Sequence, residues 1–145
     1  MAELENYHML LQNTVIRTKV AEKVSIKIMD IFDKAKKELI IIDSYADKTL
    51  LDMIKKTKCK VIIITKENNK ISHLHIEKYN TQYHNLTIYY DDTFHDRYFI
   101  LDKETIYHCG ASINYAVTRT FSINILEDIP MKEALIKNIE NIINK

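Results

Sequence analysis

Residues 94–102 read Phe-His-Asp-Arg-Tyr-Phe-Ile-Leu-Asp, which sets an imidazole at His95 and a guanidinium at Arg97. Side chains alternate along an extended strand, so a strand here is predicted to turn His95 and Arg97 to one face and Asp96 and Tyr98 to the other. The pair suits a phosphate. The planar fork of an arginine can bind two phosphate oxygens, and a neutral histidine beside it can act as a nucleophile or proton carrier near neutral pH. The competing reading is a charged strand end at a sheet edge, where charge guards against edge-to-edge aggregation.

The surrounding elements have to position that pair. Apolar residues at Val20, Val24, Ile28, Ile31, Phe32 and Ala35 recur at helical spacing and mark one face of an amphipathic helix. Leu39-Ile40-Ile41-Ile42 and Val61-Ile62-Ile63-Ile64 are short unbroken apolar runs, the pattern of strands covered on both faces, with a helix predicted between them from Asp47 to Lys56. A helix over Ser72 to Gln82 and a strand over Leu86 to Tyr90 follow. Two further strands are predicted at Phe94 to Leu101 and Thr105 to Cys109, joined by Asp102-Lys103-Glu104. A loop or short helix at Ser112 to Val117, a strand at Thr120 to Leu126 and a helix after Pro130 complete the chain. Strands that alternate with helices early and pair directly later imply an α/β fold, a mixed β-sheet flanked by helices on both faces. Met1 to Thr14 resist placement and read as an extension or a dimer contact. Val15, Ile26 and Met29 lie off the main stripe of the first helix, which either an interface or an extra core contact explains.

Composition narrows the chemistry. The 145 residues, 46% of them hydrophobic, suffice for one core and one domain spanning 1–145. With 21 Lys and Arg against 20 Asp and Glu, the formal charge is +1, so any anion site must be local. One Gly and one Pro exclude a Gly-rich phosphate loop, and with it P-loop and Rossmann readings. Two cysteines, Cys59 and Cys109, form no disulfide framework or four-ligand zinc site and read as reduced core residues. No secretory leader is evident, and no apolar run approaches the ~20 residues that span a bilayer, so the expected location is cytoplasmic with no membrane partner.

The spacing of His95, Arg97 and Asp102, followed by Gly110-Ala111-Ser112-Ile113-Asn114, resembles the phospholipase D superfamily. That family is marked by His, any residue, Lys, four residues and Asp, followed shortly by Gly-Ser-x-Asn. Here Arg97 stands at the lysine position, and Ala111 separates the glycine from the serine. The diagnostic part covers residues 94 to about 115. The resemblance implies a phospholipase D-like fold and a metal-independent phosphodiesterase without cofactors, with a nuclease acting on DNA or RNA as the expected activity. In that mechanism His95 would attack phosphorus to form a phosphohistidine, while Arg97, Ser112 and Asn114 would hold the nonbridging oxygens. Asp102, on the opposite strand parity, is expected to support the site structurally. Family enzymes use two such motifs around one site, so a single-motif chain implies a homodimer with two His95 side chains facing each other. The alternative is a catalytically degenerate phosphate- or nucleic-acid-binding or dimerisation module, as in phage-type and mobile-element proteins.

Other candidates carry less. His73 and His75, two apart on a helix, do not share a face and read as surface residues. His108 and Cys109 alternate on a strand, which argues against a Cys-His pair and for a packed histidine. Tyr89, Tyr90, Tyr98, Tyr107 and Tyr115 could stack on bases, but strand aromatics are usually core partners.

Overall fold

The computed structural model describes residues 22–67, 70–110 and 122–145. Residues 22–32 are helical (α1) and lead into β1 (Glu38–Ile42), α2 (Lys48–Met53), β2 (Lys60–Thr65), α3 (His73–Tyr83), β3 (Leu86–Tyr90), β4 (Arg97–Leu101), β5 (Thr105–Cys109), β6 (Ile123–Ile125) and α4 (Ile129–Ile143). Among the described residues, six strands form one sheet in the order β3-β2-β1-β4-β5-β6. β1, β2 and β3 run parallel, whereas β4 runs antiparallel to β1 and begins an antiparallel series through β5 to β6. The direction therefore changes beside β1.

The apolar runs of β1 and β2 are explained by cover on both sides. Leu39, Ile41, Val61, Ile63, Phe99 and Leu101 pack with α1, α2 and α3 on one face, around Phe32, whose ring meets Phe99 edge-on at 5.0 Å. Ile40, Ile42, Ile62, Ile64, Ile100 and Ile106 pack against Leu135 and Ile139 of α4 on the other. The expected mixed sheet with helices on both faces is the architecture found. Of the apolar residues off the main stripe of α1, Met29 packs against the core and Ile26 is 55% exposed. Val15 and Met1 to Thr14 lie outside the described residues.

Local chemistry sets the element ends. Asp47 caps α2 by accepting from the Thr49 N–H, and Asp128 caps α4 by accepting from the Met131 N–H, with Pro130 in the first turn where its missing N–H is harmless. Ser72 accepts from the His75 N–H, and the His75 ring accepts in return from the Ser72 N–H, so this histidine does the work of the usual Glu or Gln in a capping box. His73, by contrast, is exposed. Asp102 and Lys103 both take left-handed conformations, φ 56° and 57°, as the central residues of the turn that the Glu104 N–H closes on the Leu101 carbonyl between β4 and β5. Their twist suits a hairpin.

Two predicted strands are shorter than expected. The fourth begins at Arg97 rather than Phe94, because the Ser44 hydroxyl captures the Phe94 carbonyl and Asp96 turns to His108 instead of continuing the ladder. The sixth spans Ile123–Ile125 within the predicted Thr120 to Leu126. Among the described residues, no helix is long and apolar enough to cross a membrane.

Candidate functional site

The C-terminal ends of β1, β2, β3 and β5 lie at the same end of the sheet as the start of β4. These strand ends meet where the sheet changes direction, the position at which open α/β sheets commonly bind ligands. Asp43 extends the β1 ladder by one residue through its N–H to the Ile64 carbonyl, 3.0 Å. One step beyond the Ile42–Tyr98 and Ile42–Ile64 pairs, Asp43 aligns with Arg97 on one side and Thr65 on the other. All three share parity with the face covered by α1, α2 and α3.

This row is polar and buried. Arg97 Nη2 lies 2.9 Å from Asp43 Oδ2, with the two side chains 5% and 7% exposed. Asp43 Oδ1 accepts from the Tyr45 N–H at 3.0 Å. Burial pushes the Asp43 carboxyl above its ordinary value, against the pull of Arg97 and the Tyr45 N–H. Among the described residues, Arg97 Nε and Nη1 and Thr65 Oγ1 are buried with no hydrogen-bond partner. Unmet donors of this kind are uncommon in a folded interior and point to a site that something polar can fill.

His95 sits before β4, exposed, in a loop held at several points. The Asp91 N–H bonds to the Thr65 carbonyl, the Asp91 carboxylate accepts from the Thr93 N–H and hydroxyl, and Ser44 Oγ bonds to the Phe94 carbonyl at 2.8 Å. Because His95 is not in a strand, alternation does not fix its direction. The expected shared strand face with Arg97 is therefore corrected: Arg97 turns into the protein while His95 stays at the surface. Among the described residues His95 makes no hydrogen bond or ion pair. Asp96 Oδ2 lies 3.0 Å from His108 Nε2, and the His108 ring lies against Tyr98.

Asp102 is at the opposite end of β4. Its carboxylate accepts from the N–H groups of Lys36, Lys37 and Glu38 at 2.7–3.2 Å, which binds the hairpin to the entry of β1. Those bonds hold the carboxyl below its usual range. Ser112, Asn114 and Tyr115 fall in 111–121, outside the described residues. The flanks of that segment are placed: Cys109 faces Arg97 across the β4–β5 ladder, and the Gly110 N–H meets the Ser122 carbonyl at 3.3 Å. Of the tyrosines, Tyr89 and Tyr98 pack on the α4 face and Tyr107 on the other, whereas Tyr90 is 40% exposed.

Asp43 is the residue that motif reading missed. Its signal was available: an acid immediately after a fully buried strand, in a fold that brings that strand end to the His-x-Arg segment. Among the described residues, no three His, Cys, Asp or Glu side chains gather as metal ligands would.

No protein-family model and no curated protein matches the sequence. Solved structures do. NucT from Helicobacter pylori superposes with a TM-score of 0.62 at 12% identity, covering 87% of this chain and 91% of that one. TrmBL2, described as an archaeal chromatin protein with a novel mode of DNA binding, matches with a TM-score of 0.58 at 16% identity, covering 99% of this chain. The match spans 61% of the TrmBL2 chain. The likeness to NucT gives the molecule a phospholipase D-like fold.

Proposed function

We propose that the chain is a phosphodiester-recognising domain of the phospholipase D type that acts on nucleic acid, as a metal-independent phosphodiesterase in a homodimer. The observation that carries this reading is Arg97: a buried guanidinium whose Nε and Nη1 have no partner among the described residues, placed where the sheet changes direction and two residues from an exposed histidine. Unpaired guanidinium donors suit phosphate oxygens. The fold is that of the superfamily whose His-x-Lys spacing His95 and Arg97 follow. The DNA binding in the TrmBL2 description favours nucleic acid over other phosphodiesters.

In the proposed reaction a His95 ring nitrogen attacks phosphorus. A P–N bond forms as the P–O bond to the leaving nucleoside breaks, and the departing oxygen takes a proton from a second imidazole. Water then cleaves the P–N bond and leaves a phosphomonoester. With one motif per chain, the second imidazole is the His95 of another copy across a twofold axis. Arg97, with Ser112 and Asn114, holds the nonbridging oxygens, and Asp102 supports the strand pair from its far end.

One observation favours a second reading. Asp43 already balances the Arg97 charge, as in a module that keeps the fold and binds phosphate without cleaving it. Incubation with single- and double-stranded DNA and RNA in EDTA separates the two. Cleavage by the native chain that is lost in His95→Ala is the expected result. Equal cleavage by both proteins overturns the mechanism, and binding without cleavage selects the module.

A further inference from the structure

Resting on the phosphodiester reading of Arg97, a second role emerges from the residue beside it. Arg97 is engaged by a carboxylate that is itself buried, fixed by the Tyr45 N–H and anchored to β2 through its own backbone. A carboxylate oxygen 2.9 Å from a guanidinium nitrogen makes the contact that a phosphate oxygen would make. The Asp43 contact uses Nη2 only, and Nε and Nη1 are buried without a partner among the described residues, so a ligand can reach them only if the pair opens. An anion that reaches them meets the Asp43 charge at close range in a poorly solvated place, where like charges strongly oppose each other.

We infer that Asp43 is an internal stand-in for phosphate, which closes on Arg97 when the site is empty and must yield it when a phosphodiester binds. Asp43 thereby sets the affinity of the site. The device explains how a buried arginine stays charged without a bound anion, and why a near-neutral protein can hold a phosphate site without binding polyanions indiscriminately. It also distinguishes Arg97 from an exposed basic residue, whose phosphate contacts need no displacement.

The test is a titration of the full chain with inorganic phosphate by calorimetry, and with a short fluorescein-labelled single-stranded DNA by anisotropy. Four proteins are compared: native, Asp43→Asn, Arg97→Gln and the double variant. Asparagine removes the charge and keeps one oxygen, which the Tyr45 N–H can use, while its amide nitrogen replaces the oxygen that faces Arg97. Asp43→Asn is expected to bind both probes about tenfold more tightly than the native chain, a change of about 1.4 kcal/mol, and the double variant to lose that gain. Unchanged or weaker binding by Asp43→Asn, while Arg97→Gln weakens native binding, overturns the stand-in role and leaves the reading of Arg97 intact. No response to Arg97→Gln in either background overturns both. A measurement on the native chain needs no variant to fold: the side-chain carboxyl carbon resonance of Asp43 is expected to move on phosphate addition, and a resonance unmoved at saturation overturns the inference.

Discussion

Arg97 faces Cys109 across the β4–β5 ladder, so the buried charge lies opposite the last strand residue before Gly110. Burial pushes the Cys109 thiol up to about 12, outweighing the pull of Arg97. Cys59 is half-buried and is also raised, mainly by desolvation. Only thiolates alkylate readily. Iodoacetamide at pH 8, followed by peptide mass spectrometry, should therefore label native protein slowly, at Cys59 before Cys109. Earlier labelling of Cys109 would contradict the placement.

The Asp43–Arg97 pair should cost more to break than to replace. Arg97→Met leaves a buried carboxylate without its counter-charge and is expected to destabilise the fold by about 3–5 kcal/mol, whereas pairing it with Asp43→Leu should recover most of the loss. Urea unfolding of both single variants and the double variant measures the coupling. Additive losses would show that the two side chains do not depend on each other.

The β4–β5 turn offers a stabilising change. Lys103 holds φ 57°, where an L side chain crowds its own backbone, and its side chain is exposed. Lys103→Gly should relieve that crowding and raise stability by about 0.5–1 kcal/mol after the entropy lost by glycine is counted. A lowered melting temperature would contradict the turn geometry.

Two carboxyls should shape the acid limb of stability in opposite directions. Asp102 is held below its unfolded value by three backbone N–H groups, so its contribution is present above about pH 3.8 and is lost as pH falls through the lower folded value. Asp43 is raised by burial, so its contribution is present below about pH 3.8 and is lost as pH rises through the higher folded value. Melting temperatures from pH 2 to 6 should lose part of their fall on acidification in Asp102→Asn, and fall more steeply in Asp43→Asn. The reverse assignment would refute the two environments.

The architecture was legible because β1 and β2 carry unbroken Leu, Ile and Val runs that only a doubly covered sheet accommodates. The start of β4 was not. Phe94 and Tyr98 frame a strand-like pattern, but the segment is released at its N-terminal side by the Ser44–Phe94 bond, a contact between residues fifty apart that no local pattern records. The same holds for Asp43. Its proximity to Arg97 follows from the antiparallel β1–β4 register, so only the assembled sheet shows that the guanidinium of the motif is already engaged.

His95 is proposed to perform the covalent step, with Arg97 holding the phosphate. The most direct measurement is to incubate the full chain with phosphate-labelled oligonucleotide in EDTA, denature it in alkali, where phosphohistidine survives, and map the label by peptide. The account predicts label on the peptide containing His95, at the imidazole, and none in His95→Ala. Cleavage of the oligonucleotide with no label on His95, or label carried by another residue, would contradict it.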